Sequence, residues 1–274
     1  MTSFISWTGN KAKWVHQLLE HIPGEFRYYH EPFLGSGSFG LSLLLNKGYL
    51  ISKVFLSDIN CELVNTWKMV RDFPKPLICS VLKRVFKDSF EYFDMLRRQD
   101  AFSLDSSIRR ASRFLYLNKA SYPSGLWREN QSGEYNTAYG GIKSDTVFGD
   151  KWQETVVNVS DLLRSSKRRK VSLYCEHYKN VLKRAKGSDD FVYFDPPYWV
   201  KVSSKAFTQY HHSGFGVEDQ KELLNVWKEL DKRGCKLMMT NSNIPEVWKH
   251  YRNNNKNNNV IKGLSKTEVL IKNY

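Results

Sequence analysis

A chain of 274 residues carrying 42 Lys and Arg against 28 Asp and Glu has a formal net charge of +14. Its length buries a substantial core as one large domain or two unequal ones, and no stretch approaches ~20 consecutive apolar residues, which argues against a membrane span. The charge favours a polyanionic partner through counterion release, the 14% aromatic content suits stacking on unpaired bases, and the absence of a signal-peptide pattern predicts a soluble, unsecreted protein.

In chain order, Arg27 to Phe33 can form a strand, GSGSFG (35–40) a tight glycine turn and Leu41 to Leu45 a helix body. Val54 to Leu56 form the next strand, which ends at Ser57 and Asp58. That acid lies roughly 20 residues past the glycines, where a doubly wound nucleotide fold often places a ribose-binding carboxylate. From Cys61 to Ser121 the pattern turns helical, with apolar residues at helical spacing through Leu77–Phe86, Phe90–Leu96 and Ile108–Leu117. The Gly-, Ser-, Asn- and Tyr-rich stretch at 122–141 reads as a surface loop or hairpin.

The α/β pattern then resumes. Strands are expected at Val171–Cys175, Asp190–Phe194, Lys236–Asn241 and Thr267–Ile271, with an amphipathic helix at Val217–Lys232. The basic run RSSKRRK (164–170) is either a solvated face or a phosphate contact, and RNNNKNNNV (252–260) is a polar loop. Cys61, Cys79, Cys175 and Cys235 lack CxxC spacing, so reduced thiols are expected and neither a metal site nor a disulfide framework is indicated.

The most specific stretch is FVYFDPPYWV (191–200). A buried apolar strand is stopped by two prolines that cannot continue a central ladder. This leaves Asp195 at the carboxyl edge of a sheet, where open α/β folds bind ligands, with Tyr198 on a stiffened turn. An amine on a heteroaromatic ring attacks carbon poorly because its lone pair is delocalised. Accepting its hydrogens on the Asp195 carboxylate and the Pro196 carbonyl would localise that pair, while Pro197 stiffens the turn and Tyr198 stacks on the ring. The structural alternative is a turn that merely starts a loop.

Several ordered stretches, WTGNK (7–11), EPFLGSGS (31–38), SDIN (57–60), YLNKASYPSGLWREN with GEYNTAYG (116–140), YCEHY (174–178), DFVYFDPPY (190–198) and FTQYHHSGF (207–215), resemble the Dam-type DNA adenine-N6 methyltransferases. These are the D12 class, or alpha group, with the DPPY motif. The resemblance spans nearly the whole chain. It implies a Rossmann-like class I S-adenosylmethionine-dependent methyltransferase sheet, with 1–60 and 151–274 as the catalytic α/β domain and 61–150 as an inserted helical target-recognition domain with a DNA-reading hairpin.

By that resemblance Trp7, Lys11, Phe33, Gly35, Ser36, Gly37 and Asp58 would line the S-adenosyl-L-methionine pocket together with Asp195. Asp195, Pro196, Pro197 and Tyr198 would hold a flipped adenine. Arg128 would pair with a guanine in the major groove, Tyr122 would wedge where the adenine leaves, and Leu126 and Tyr210 would join them in contacting double-stranded DNA. The family's usual GATC is one candidate target. Ser6 stands where many relatives carry a guanine-reading lysine, Ala138 where a proline precedes YG or FG, and Pro123-Ser124 makes the hairpin motif one residue longer. The resemblance implies a cytoplasmic enzyme of a prokaryote, phage or virus, acting as a monomer or weak dimer on DNA and serving DNA methylation, with or without a restriction partner. Other readings are an N4-cytosine methyltransferase, which the same cradle suits, and a non-catalytic DNA-binding module, which does not require Asp195 and Tyr198. A dinucleotide oxidoreductase leaves DPPY and the basic charge unexplained.

Overall fold

The computed structural model describes residues 3–123, 128, 135–164, 169–199, 215–252 and 260–274. In chain order these form α1 (Val15–Leu19), β1 (Tyr28–Glu31), α2 (Ser38–Lys47), β2 (Lys53–Asp58), α3 (Cys61–Asp72), α4 (Pro74–Val85), α5 (Phe90–Arg98) and α6 (Ser107–Ala120). The short strands β3 (Ser121–Tyr122) and β4 (Ala138–Tyr139) follow, then α7 (Asp150–Arg164), β5 (Lys170–Cys175), β6 (Asp190–Phe194), α8 (Val217–Lys232), β7 (Lys236–Ser242), α9 (Pro245–Arg252), β8 (Val260–Gly263) and β9 (Glu268–Lys272). They divide into a helical unit, Met1–Ala12, Gly35–Leu45 and Asn60–Lys167, and a sheet unit, Lys13–Leu34, Asn46–Ile59 and Arg168–Tyr274.

Seven strands of the sheet unit pair in the order β5-β2-β1-β6-β7-β9-β8. The first five run parallel, and β9 lies antiparallel to both of its neighbours. Counted along the chain without β3 and β4, this is 3-2-1-4-5-7-6 with the seventh strand reversed. It is the class I methyltransferase sheet expected from the sequence. Chain direction across the sheet switches between β1 and β6, and open α/β sheets bind ligands outside the carboxyl ends at such a switch point.

Burial explains the apolar runs. Every residue of β6 is buried, as befits a central parallel strand covered on both faces. Alternate residues Val192 and Phe194, Leu237 and Met239, and Val269 and Ile271 share one core with Leu223, Trp227 and Leu230 of α8, because strand side chains alternate faces while helical ones recur every three or four positions. The α8 N-terminus is closed by Asp219, whose carboxylate accepts from the Gly216 N–H at 2.7 Å.

In the helical unit, α6 is buried from Ala111 to Asn118. Asn60 caps α3 by accepting from the Leu63 N–H at 2.9 Å, and Ser89 caps α5 by accepting from the Tyr92 N–H at 3.1 Å. Buried Arg113 donates to the Leu96, Gln99 and Arg97 carbonyls at 2.8, 2.9 and 3.3 Å, so its charge is set against the carbonyls at the end of α5. A second core of Phe93, Leu96, Tyr116, Leu117, Ala120 and Tyr135 supports the antiparallel β3–β4 pair, Ser121 opposite Tyr139 and Tyr122 opposite Ala138.

Cys79 and Cys235 are free thiols, but Cys61 and Cys175 are disulfide-bonded, against the expectation of four reduced thiols. Spacing in the chain concealed this. Among the described residues no helix is long and apolar enough to cross a membrane.

Candidate active site

Three adjacent parallel strands, β2, β1 and β6, end in or beside acids: Asp58, Glu31 and Asp195. Asp195 follows β6 and is half-buried. Its Oδ1 accepts from the Thr240 hydroxyl on β7 at 2.8 Å. Thr240 has one hydroxyl hydrogen, so the Tyr193 hydroxyl at 3.0 Å donates to Thr240 in turn. The turn after Asp195 is held from outside: the Gln220 amide donates to the Pro197 carbonyl at 2.9 Å and the Ser242 hydroxyl to the Trp199 carbonyl at 2.8 Å. Two prolines and these supports leave the DPPY backbone little entropy to lose on binding.

Tyr198 is half-buried, and burial, followed by the nearby charges of Asp195 and Glu268, pushes its phenol pKa up. The phenol therefore stays neutral. Phe33 joins an aromatic cluster, stacked on Tyr178 at 5.1 Å between ring centroids and edge-on to Phe215 at 5.8 Å.

Glu31 was not among the residues expected at the site. It is only 2% exposed, and its Oε2 accepts from the Tyr29 hydroxyl at 2.9 Å. Burial, and then the charges of Asp195 and Asp58, hold its pKa up at about 8, against the opposing Tyr29 hydrogen bond. The signal available in the sequence was an acid at the end of an apolar strand, just before the glycine turn. With a pKa of about 8, Glu31 is mostly protonated at neutral pH and can donate a hydrogen bond as well as accept one.

The remaining predicted cofactor residues lie in the helical unit and are joined to one another. Gly35 has φ +45° and Gly37 φ +62°, the left-handed region that favours glycine. A Cβ on Gly35 would come within 2.9 Å of Cδ1 of Trp7, and the Trp7 ring is stacked on Phe114 at 6.2 Å. The Gly35 carbonyl accepts from the Trp67 indole at 3.1 Å and the Ser36 carbonyl from the Ser3 hydroxyl at 2.8 Å. Ser36 and Ser38 hydroxyls meet at 2.9 Å, and Ser38 donates to Asn10 Oδ1 at 2.6 Å. Buried Lys11 donates from Nζ to the Gly9 carbonyl at 2.6 Å. Thus WTGNK and GSGS are one hydrogen-bonded assembly. Gly35→Ala is expected to cost about 1–3 kcal/mol, read as a lowered melting temperature, because the left-handed backbone and the Trp7 ring both oppose the methyl group.

Of the predicted DNA contacts, Tyr122 is 63% exposed on β3, with Lys143 Nζ over its ring at 5.2 Å. Arg128 is exposed, and its carbonyl accepts from the Asn136 N–H at 2.8 Å. Leu126, Tyr210, most of the basic run (165–168) and most of the Asn-rich loop (253–259) lie outside the described residues.

The chain is 31% identical over 287 aligned residues to the Type II methyltransferase M1.LlaDCHI of Lactococcus lactis subsp. cremoris, covering 99% of this chain and 95% of that protein. It is 33% identical to the Type II methyltransferase M.MjaIII of Methanocaldococcus jannaschii, covering 87% of this chain and 83% of the relative. With the DNA adenine methylase of Escherichia coli K12 the identity is 28%, over 87% of this chain and 80% of that enzyme. A family model described as D12 class N6 adenine-specific DNA methyltransferase matches residues 7–270. The class I sheet, the acids at its switch point and a family match spanning nearly the whole sequence lead to one conclusion: this chain belongs to the D12 class of N6 adenine-specific DNA methyltransferases.

Proposed function

We propose that this adenine methyltransferase uses S-adenosyl-L-methionine to methylate the N6 amine of an adenine turned out of duplex DNA at a short specific site. The observation that carries the reading is Asp195, fixed by Thr240 beside a proline-stiffened turn whose Pro197 carbonyl is held by Gln220. S-adenosylmethionine, when bound, supplies a methyl group already activated on a sulfonium. The protein's task is then alignment more than acid, base or metal chemistry.

Asp195 and the Pro196 carbonyl accept the two amine hydrogens, which draws the nitrogen toward tetrahedral geometry, and the neutral Tyr198 ring covers the base face. A purine held in the stack cannot reach these groups, so the reading requires base flipping. Trp7, Lys11, Phe33, Gly35–Gly37 and Asp58 are the proposed cofactor contacts. The carboxylates of Asp58 and Asp195 suit a cationic cofactor, and the Gly35 approach to Trp7 leaves no room for a side chain at the turn. Residues 61–150 are the proposed target-recognition domain, with Tyr122, Leu126, Arg128 and Tyr210 as DNA contacts. The +14 charge supplies the sequence-independent part of binding.

The test is incubation of plasmid DNA with methyl-labelled cofactor, followed by digestion to nucleosides and mass spectrometry. Label in N6-methyladenine supports the reading. Label confined to N4-methylcytosine, or DNA binding without incorporation, refutes it. Arg128→Ala is further expected to relax base preference at one position of a site library by about tenfold, within the roughly 1–3 kcal/mol of a bidentate arginine–guanine contact. Turnover on the preferred site at saturation should fall less.

A further inference from the structure

A lysine near the end of α6 is bound to the N-terminal motif. Lys119 Nζ donates to the Ser6 hydroxyl at 2.8 Å, across 113 residues of chain. Its neighbour Asn118 fixes the same residue by its backbone: Oδ1 accepts from the Ser6 N–H at 3.3 Å and Nδ2 donates to the Ser6 carbonyl at 2.9 Å. Ser6 directly precedes Trp7, and Lys119 lies three residues before the exposed Tyr122.

The side chain is half-buried, and burial alone draws its pKa below the ordinary lysine value. Among the described residues no carboxylate lies within ion-pair distance of it. A partly desolvated cation held only by a neutral hydroxyl is costly, and a further acceptor would relieve that cost.

We propose that Lys119, steered by Ser6, is a specificity-determining residue that donates to the O6 and N7 edge of a guanine in the recognition site. The proposal rests on the duplex-adenine reading above. An ammonium has three N–H donors. One is taken by Ser6, and the two that remain match the only base that offers two acceptors in the major groove. Adenine and cytosine present a donor there, and thymine a single acceptor beside a methyl group. A phosphate needs only charge, which a fully exposed lysine provides. A packed stem tethered to a fixed hydroxyl supplies direction instead.

The experiment compares wild type, Lys119→Met and Ser6→Ala on a randomised duplex library, with DNA affinity measured across a salt series. Lys119→Met is expected to lose preference for guanine at one position by about tenfold or more, with the salt slope of binding unchanged. Ser6→Ala should lose part of the preference at that same position, and it decides the question if Lys119→Met does not fold. Uniform weakening across all sequences with a salt slope smaller by about one unit would mark a phosphate contact and overturn the proposal. Unaltered selectivity with a lowered melting temperature would mark a structural lysine and overturn it equally. If wild type methylates no adenine in the library, the parent reading fails and this one falls with it; if wild type is selective and the variants match it, only this one falls.

Discussion

Asp195→Ala is expected to lower single-turnover methyl transfer by at least about 10²- to 10³-fold, with folding and much of the DNA affinity retained. The magnitude follows from the work the carboxylate performs. In the proposed reaction it accepts an amine hydrogen where the lone pair must localise, an interaction worth more in the transition state than in the bound ground state. Folding survives because Asp195 is half-buried and outside the apolar core. Its removal leaves Thr240 still bonded to Tyr193, a loss of the order of one hydrogen bond, about 1 kcal/mol. DNA affinity survives because phosphate contacts depend on distributed charge. Stopped-flow quench with labelled cofactor, calorimetric melting and a filter-binding titration separate the three quantities. Equal losses in all of them would mean that Asp195 is a structural residue.

The second large effect concerns Glu31 and pH. Its pKa is about 8 in the folded chain against 4.5 ordinarily. Between those values the folded state binds more protons than the unfolded state, so unfolding free energy falls as pH rises through the window and levels off above it. Each unit of pH inside the window is worth about 1.4 kcal/mol, giving a contribution of roughly a few kcal/mol. Glu31→Gln cannot ionise and keeps an acceptor for Tyr29. The variant's stability is therefore expected to gain on wild type steadily from pH 5 to pH 8, as measured by urea unfolding at a series of pH values. Parallel profiles for the two proteins would show that Glu31 is solvated or paired with a cation.

The strands and helices most legible in the sequence were those with strong periodicity and hard stops. The apolar run ended by Pro196 gave β6 as Asp190–Phe194, and the spacing of Leu223, Trp227 and Leu230 gave α8 as Val217–Lys232, both as observed. The strand expected from Arg27 to Phe33 is shorter, Tyr28–Glu31, because Pro32 lacks the N–H to continue a ladder. The helix body expected at Leu41–Leu45 extends to Ser38–Lys47.

Other elements were passed over. In α7, Trp152, Val156, Val159 and Leu163 are buried at helical spacing, but they follow a Gly- and Ser-rich loop whose composition masked the period. Short α9 has only Val247 and Tyr251 to mark its inner face, and β8 adjoins an asparagine run. The candidate site was legible where its residues sat in one motif with its own stop, as Asp195 does directly after β6. It was not where meaning depends on spatial neighbours. Glu31 gains significance only once strand pairing sets β1 between β2 and β6, and Lys119 only once α6 brings it to Ser6.

The most direct measurement is a crystal structure of the protein with a duplex oligonucleotide and a non-transferring cofactor analogue. An adenine lying outside the helix stack, its N6 about 3 Å from an Asp195 oxygen and from the Pro196 carbonyl, is the predicted result. An adenine still paired, or an extruded base whose amine is met by other groups while Asp195 contacts Thr240 alone, would contradict it.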